Sequence, residues 1–188
     1  MRRLFVATKV EFGHDFKELI TNLKYACRND KIVWVEPENI HLTLRFLGPT
    51  STPQLSGLNK ALKEVTGEMT SFILDINKMG VFGSHYAPLS VWLGFKDFEL
   101  FKQLFEKLEE KIEPLGFEPP YGNFVPHITL GRIKAIDNKQ RFWEYIEQSQ
   151  PHFSQKLRIH TLTLFQSRLM KRGPVYKSLG EFPLLPEN

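Results

Sequence analysis

His41-Leu42-Thr43-Leu44 and, in the second half of the chain, His127-Ile128-Thr129-Leu130 spell one tetrad twice: histidine, aliphatic, threonine, leucine. In an extended strand, successive side chains point to opposite faces. The histidine and threonine of each tetrad then share one face, while Leu42 and Leu44, or Ile128 and Leu130, anchor the other in a core. Each tetrad therefore reads as a strand presenting an imidazole and a hydroxyl to the same space, roughly 6–7 Å apart along the chain.

Working outward, four stretches carry helical spacing. Phe16, Leu19, Ile20, Leu23 and Cys27 share one face. A second helix opens at Thr52-Pro53, read as N-cap and first-turn proline, and continues through Leu55, Leu58, Leu62 and Val65. The third and clearest runs Phe101, Leu104, Phe105, Leu108, Ile112 and Leu115, and a shorter one surrounds Phe142, Trp143 and Ile146. Strand-type runs cover 4–8, 32–36, 41–47, 72–76, 91–94, 124–130, 157–165 and 175–179. Gly80, Gly83 and Pro88 bracket an expected loop, and Glu118-Pro119-Pro120-Tyr121-Gly122 marks another. The mixture predicts an α+β fold on antiparallel sheet, organised as a single domain over 1–188.

The bulk numbers set outer bounds. At 188 residues, 41% hydrophobic, with sixteen Phe and three Trp, the chain can fill a core. No apolar run approaches the roughly 20 residues that span a bilayer, and MRRLFVATKV alternates like a strand rather than a signal peptide. A single cysteine, Cys27, rules out an intrachain disulfide and a cysteine-rich metal site, which suits a cytoplasmic protein. The net charge is +4. Beyond residue 150, Lys156, Arg158, Arg168, Lys171, Arg172 and Lys177 face only Glu181 and Glu187, so the excess sits at the C-terminal end. A polyanionic partner and a plain solvated surface fit that equally well. Nothing in the sequence points to an oligomer, so a monomer is expected.

The tetrads carry the chemistry as a pair. His152-Phe153-Ser154 also fits a loose His-x-Ser/Thr pattern, but Gln155 breaks its alternation. Either histidine alone reads more readily as a strand residue with a satisfied hydrogen bond. Two matched ones suit acid–base work: an imidazole near pKa 6.5 takes or gives a proton at neutral pH. Threonine hydroxyls can donate to non-bridging phosphate oxygens. A cyclic phosphodiester needs one water activated and one ribose oxygen protonated, and its strained ring needs no metal. A catalytic zinc wants three protein ligands, and neither tetrad has a carboxylate or second histidine at ligand spacing. His85 or His160 would have to complete such a site by coincidence of the fold. No HExxH, GxSxG or Walker-type loop is present.

At these residues the sequence resembles the 2H phosphoesterase superfamily, and within it the RNA 2',3'-cyclic phosphodiesterases, once called 2'-5' RNA ligases. The likeness extends through Arg3-Leu4-Phe5-Val6-Ala7, Trp34, Pro37-Glu38-Asn39-Ile40, Arg45-Phe46-Leu47-Gly48, Pro126, Gly131-Arg132, Ser167 and Gly173-Pro174-Val175-Tyr176. It implies two pseudo-symmetric lobes of antiparallel sheet, with flanking helices, around a central cleft. It further implies hydrolysis of cyclic phosphate ends of RNA to 2'-phosphate without metal or cofactor. On that pattern His41 protonates the departing 3' oxygen and His127 activates water, or the two exchange roles, since the near-symmetry of the tetrads does not fix the side on which water enters. Thr43 and Thr129 hold the phosphate. Arg132 would add a phosphate contact and Phe46 a base-stacking platform.

Strict alternation objects to the last two. It places Phe46 with Leu42 and Leu44, and Arg132 with Ile128 and Leu130, unless Gly131 permits a bulge and the strand at Phe46 bends. It makes Phe46 an ordinary core aromatic and sets Arg45 on the histidine face as the unforced cleft cation. Trp34 and Trp92 read as core, and His14, His85 and His160 as surface or strand residues. Two other readings stay open: 2'-5' ligation or 2'-5' phosphodiester cleavage at the same site, and an RNA- or nucleotide-binding module without turnover.

Overall fold

The computed structural model describes residues 2–151, 154–170 and 173–187. Over them the chain forms, in order, β1 (Arg2–Lys9), α1 (His14–Ala26), β2 (Lys31–Trp34), β3 (His41–Thr50), α2 (Thr52–Gly67), β4 (Phe72–Gly83), β5 (Pro88–Phe95), α3 (Glu99–Ile112), β6 (His127–Ala135), α4 (Lys139–Gln148), β7 (Gln155–Ile159), β8 (Thr161–Met170) and β9 (Gly173–Pro183). The strands make two antiparallel sheets, ordered β3-β1-β8-β9 and β2-β6-β5-β4-β7. This is the α+β architecture of two lobes that the resemblance implied.

Each helix forms where apolar spacing and end chemistry agree. In α3, Phe101, Leu104, Leu108 and Ile112 bury one stripe completely, each contributing about 1.5–3 kcal/mol relative to exposure. The cap of α2 differs from the expected one. Ser51, not Thr52, is the N-cap, and its backbone and side chain exchange hydrogen bonds with Gln54 in a capping box. At α1 the N-cap is Gly13, which has no side chain, so Gln155 substitutes: its Oε1 accepts from Gly13 N–H at 2.7 Å and its Nε2 donates to the Glu11 carbonyl at 2.8 Å. Residues of both sheets join one buried cluster, from Leu4, Val6 and Leu42 to Leu74, Leu93 and Ile128. Cys27 lies within it, and burial, then Asp30, pushes its thiol up to about 12, so it is a core residue rather than a nucleophile.

Three boundaries depart from the sequence reading. The run 157–165 is two strands: β7 pairs with β4 in one sheet, and β8 with β1 in the other, with His160 between them. Burial alternates through β7 (Leu157, Ile159 buried) but is unbroken in β8 from Leu162 to Gln166. The stretch with Gly80 and Gly83 is strand, and the turn shrinks to 84–87, closed by reciprocal Ser84–Ala87 backbone bonds. Gly80 is needed for room: a Cβ there would lie 2.2 Å from Cζ2 of Trp92, whose ring covers it. Finally, the strand expected over 124–130 begins only at His127.

Candidate active site

Both tetrads open a strand. His41 is the first residue of β3 and His127 the first of β6, and these strands, though in different sheets, pack alongside each other. Each histidine is held in the same way. His41 Nδ1–H donates to the Asn39 carbonyl at 2.6 Å, and His127 Nδ1–H to the Val125 carbonyl at 2.8 Å. With Nδ1 holding the proton, the neutral ring keeps its lone pair on Nε2, the atom left for a substrate. Leu42, Leu44, Ile128 and Leu130 are buried, while His41, Thr43, His127 and Thr129 stay half-exposed on the other face, as the alternation predicted.

Beyond the tetrads the alternation fails, twice and identically. On β3, Ala7 lies opposite Thr43 and Val6 opposite Arg45, so Leu44 has no partner. On β6, Trp92 lies opposite Thr129 and Val91 opposite Gly131, so Leu130 has none. Each extra residue is a β-bulge, which reverses the facing of everything after it. Phe46 is consequently 61% exposed, on the face of His41 and Thr43, rather than a core aromatic. Its ring lies 5.8 Å from Phe5, which in turn lies 5.0 Å from His41. Arg132, at the matching place, is exposed and close enough to His41 to affect its charge. The bulge suspected at Gly131 is real, and its counterpart on β3 went unseen because no glycine marks it.

The same bulge corrects Arg45. It is not a cleft cation but 7% exposed, donating from Nε to Glu109 at 2.6 Å, from Nη1 to the Phe46 carbonyl at 2.6 Å and from Nη2 to the Glu118 carbonyl. The guanidinium thereby ties the strand to α3 and to the loop after it. Its counterpart is Gly131, where a Cβ would stand 2.7 Å from Cγ2 of Ile32 and 2.8 Å from Cε3 of Trp34.

Aromatic rings wall both imidazoles. Tyr176 meets His41 edge-on at 5.2 Å and Phe82 meets His127 at 4.6 Å, with Trp92 at 6.4 Å. Tyr176 and Phe82 come from strands distant in sequence; Tyr176 lies within the stretch that carried the likeness, whereas no local pattern singles out Phe82. Trp92 is core by exposure, as read, and its Nε1–H is buried without a partner. Burial holds both histidines below their usual value; for His41 the Arg132 guanidinium and His127 push the same way. Thr43, Phe46 and His127 border one hollow of ≈ 560 Å³, and Phe46 and Arg132 a second of ≈ 410 Å³.

The other histidines stand apart. His14 is exposed at the start of α1, His85 stacks on Trp143 at 4.8 Å, and His160 sits exposed between β7 and β8. His152, Lys171 and Arg172 lie outside the described residues. Of the remaining C-terminal cations, Lys156 and Arg158 lie on β7, Arg158 pairing with Glu187 at 3.0 Å, while Arg168 and Lys177 stand on β8 and β9. Among the described residues no three His, Cys, Asp or Glu side chains are placed to hold a metal, and no helix is long and apolar enough to cross a membrane.

The pattern of the LigT-like phosphoesterase family matches residues 8–92 and 97–176, taking in both tetrads and both bulges. This chain belongs to that family. As a LigT-like phosphoesterase it is a hydrolase, and two relatives align along nearly its whole length. One from Archaeoglobus fulgidus is 30% identical over 181 residues, covering 96% of this chain and 99% of that protein. One from Thermotoga maritima is 30% identical over 181 residues, covering 95% and 94%. Both are named RNA 2',3'-cyclic phosphodiesterase. Among solved structures, the TT0787 protein of Thermus thermophilus superposes with a TM-score of 0.81 at 25% identity, covering 99% of this chain and all of that one. The apo form of Escherichia coli LigT shares the fold, with a TM-score of 0.73 at 23% identity over 98% of each chain.

Proposed function

We propose that this LigT-like phosphoesterase hydrolyses 2',3'-cyclic phosphates at RNA ends to 2'-phosphates, without a metal, using His41 and His127 as its acid–base pair. The observation that carries the reading is the matched anchoring of the two imidazoles, each with Nδ1–H on a backbone carbonyl two residues earlier. Relatives of the same length that bear the cyclic phosphodiesterase name support the substrate class.

The reaction follows from these parts. Thr43 and Thr129 donate to the non-bridging oxygens, where charge builds as phosphorus becomes five-coordinate. His127 Nε2 takes a proton from water as the water oxygen bonds to phosphorus. The P–O3' bond breaks, and His41 gives its Nε2 proton to the departing oxygen, leaving a 3'-hydroxyl and a 2'-phosphate. Holding water, phosphate and both imidazoles together removes the entropy of bringing them to one place.

The acid role asks His41 for a proton that the free protein holds weakly. Burial disfavours its cationic form, and so do Arg132 and His127. A phosphate seated between these groups supplies the missing negative charge, offsets the guanidinium and restores the proton. Substrate binding therefore arms the acid.

The direct test is a short RNA ending in a 2',3'-cyclic phosphate, incubated with and without a chelator, with the terminal phosphate then identified. A chelator-resistant 2'-phosphate is expected. Loss of turnover on chelation overturns the metal-free mechanism. A new 2'-5' linkage in place of a hydrolysed end overturns the hydrolytic reading.

A further inference from the structure

Three hollows around the histidine strands differ in charge. The hollow beside Thr43 and His127 is edged by Glu118, and its arginine, Arg45, is already neutralised by Glu109. A second, beside Lys9 opposite His41 on β1, carries Lys156 and Arg158 together with Glu11 and Glu181; Lys9 pairs with Glu181 at 3.2 Å and Arg158 with Glu187 at 3.0 Å. The third is the ≈ 410 Å³ hollow beyond Phe5, bordered by Arg3, Phe46, Arg132, Ser167 and Tyr176. No acidic residue lines it, and among the described residues neither Arg3 nor Arg132 makes an ion pair.

The strand register shows how this hollow is built. Arg3 on β1 is opposite Ser167 on β8, and Ser167 is opposite Tyr176 on β9, so the three form one cross-strand row. The next row on the same face holds Phe46, Phe5 and Phe165, and Phe5 and Tyr176 both touch the His41 ring. Two residues of strand separate Arg3 from Phe5, roughly 7 Å, a reach comparable to one ribose beyond a phosphate held at the histidines. A guanidinium and a hydroxyl at that distance, with Phe46 and Tyr176 between, make a cation beside stacking faces, the arrangement that holds single-stranded nucleic acid.

We propose that Arg3 and Ser167 bind the phosphodiester immediately 5' of the reacting nucleotide, so that the enzyme selects oligonucleotide ends over free cyclic mononucleotides. This rests on the cyclic phosphodiesterase reading and adds its substrate length. Arg3 donates in bidentate fashion to the bridging phosphate, as guanidinium–phosphate pairs do, and Ser167 adds one hydroxyl. Neither group touches the reacting phosphorus, so their effect falls on the longer substrate alone.

The test compares adenylyl-adenosine ending in a 2',3'-cyclic phosphate with adenosine 2',3'-cyclic phosphate. The ratio of their kcat/KM values is expected to drop about tenfold in Arg3→Gln and less in Ser167→Ala, with Arg3→Lys in between. For the dinucleotide, the slope of log kcat/KM against log salt is expected to shrink by about 0.7 in Arg3→Gln, the loss of one phosphate contact on a single strand. An unchanged ratio, or a parallel fall for both substrates, overturns the subsite. If the wild-type enzyme turns over neither substrate, the hydrolase reading fails and the subsite is judged by affinity instead. Calorimetry with the corresponding 2'-phosphate products would show the same tenfold change in the dinucleotide-to-mononucleotide ratio, or refute it.

Discussion

Strands β3 and β6 correspond through the four positions of the tetrad and then diverge. Both open on a histidine anchored through Nδ1, both carry a threonine on that face, and both leave the leucine of the tetrad unpaired in a bulge. At the next position one has Arg45, buried and bonded to Glu109, and the other Gly131, pressed beneath Trp34. At the position after that, Phe46 and Arg132 both emerge on the histidine face. On the proposed reading, the repeat preserves what a proton-transfer reaction uses twice and differentiates where an asymmetric ligand presents different things, an aromatic surface on one side and a negative charge on the other.

The sharpest way to break this comparison is to remove the histidines one at a time. His41→Ala and His127→Ala are each expected to lower kcat about 10³-fold, in the range for general acid–base groups, and the double variant to fall little further, because the two act as one unit. Substantial activity in either single variant would end the equivalence of the tetrads.

The next contrast concerns support rather than chemistry. Arg45→Ala leaves Glu109 and two backbone carbonyls without their donor and is expected to destabilise the fold by about 3–5 kcal/mol. Gly131→Ala forces Ile32 and Trp34 apart and is expected to cost about 1–3 kcal/mol. Urea unfolding of the two variants measures both. Equal losses would mean that the two lobes support their bulges alike despite their different residues.

The smallest effect is on stability against pH. Both histidines have folded values below their unfolded value of about 6.5, chiefly through burial. The unfolded chain therefore takes up protons first as pH falls. Stability is full above about pH 6.5 and declines as pH drops towards the lowered folded values. The urea midpoint is expected to follow this course, and to lose part of it in a His41→Gln/His127→Gln variant. An unchanged pH dependence in that variant would show that neither ring is desolvated as described.

What could be read beforehand followed from alternation. The tetrads, the four helices and the facing of the two His–Thr pairs rest on local period and burial, and these survived folding. What could not be read came from register. A bulge is a property of two strands, and nothing in Leu44-Arg45-Phe46 alone announces that Val6 and Ala7 will skip a residue opposite it. For the same reason strict alternation put Phe46 on the face of the core leucines, against the resemblance, and Arg45 on the histidine face. Glu109, which claims that guanidinium, is 64 residues away along the chain. Gly131 was the exception, since a glycine within a strand is itself a hint of such a kink.

The order of strands in the first sheet bears on how the molecule is made. β1 occupies an inner position, flanked by β3 and by β8, and β8 and β9 are supplied by residues 161–183. During synthesis β1 must wait, half-paired, for more than a hundred residues to emerge before its second edge is covered. Long-range pairing of this kind folds slowly, and an uncovered edge recruits other chains. Tyr176, which meets the His41 ring edge-on, arrives with that late segment, so this part of the histidine's surroundings is completed long after His41 itself is made.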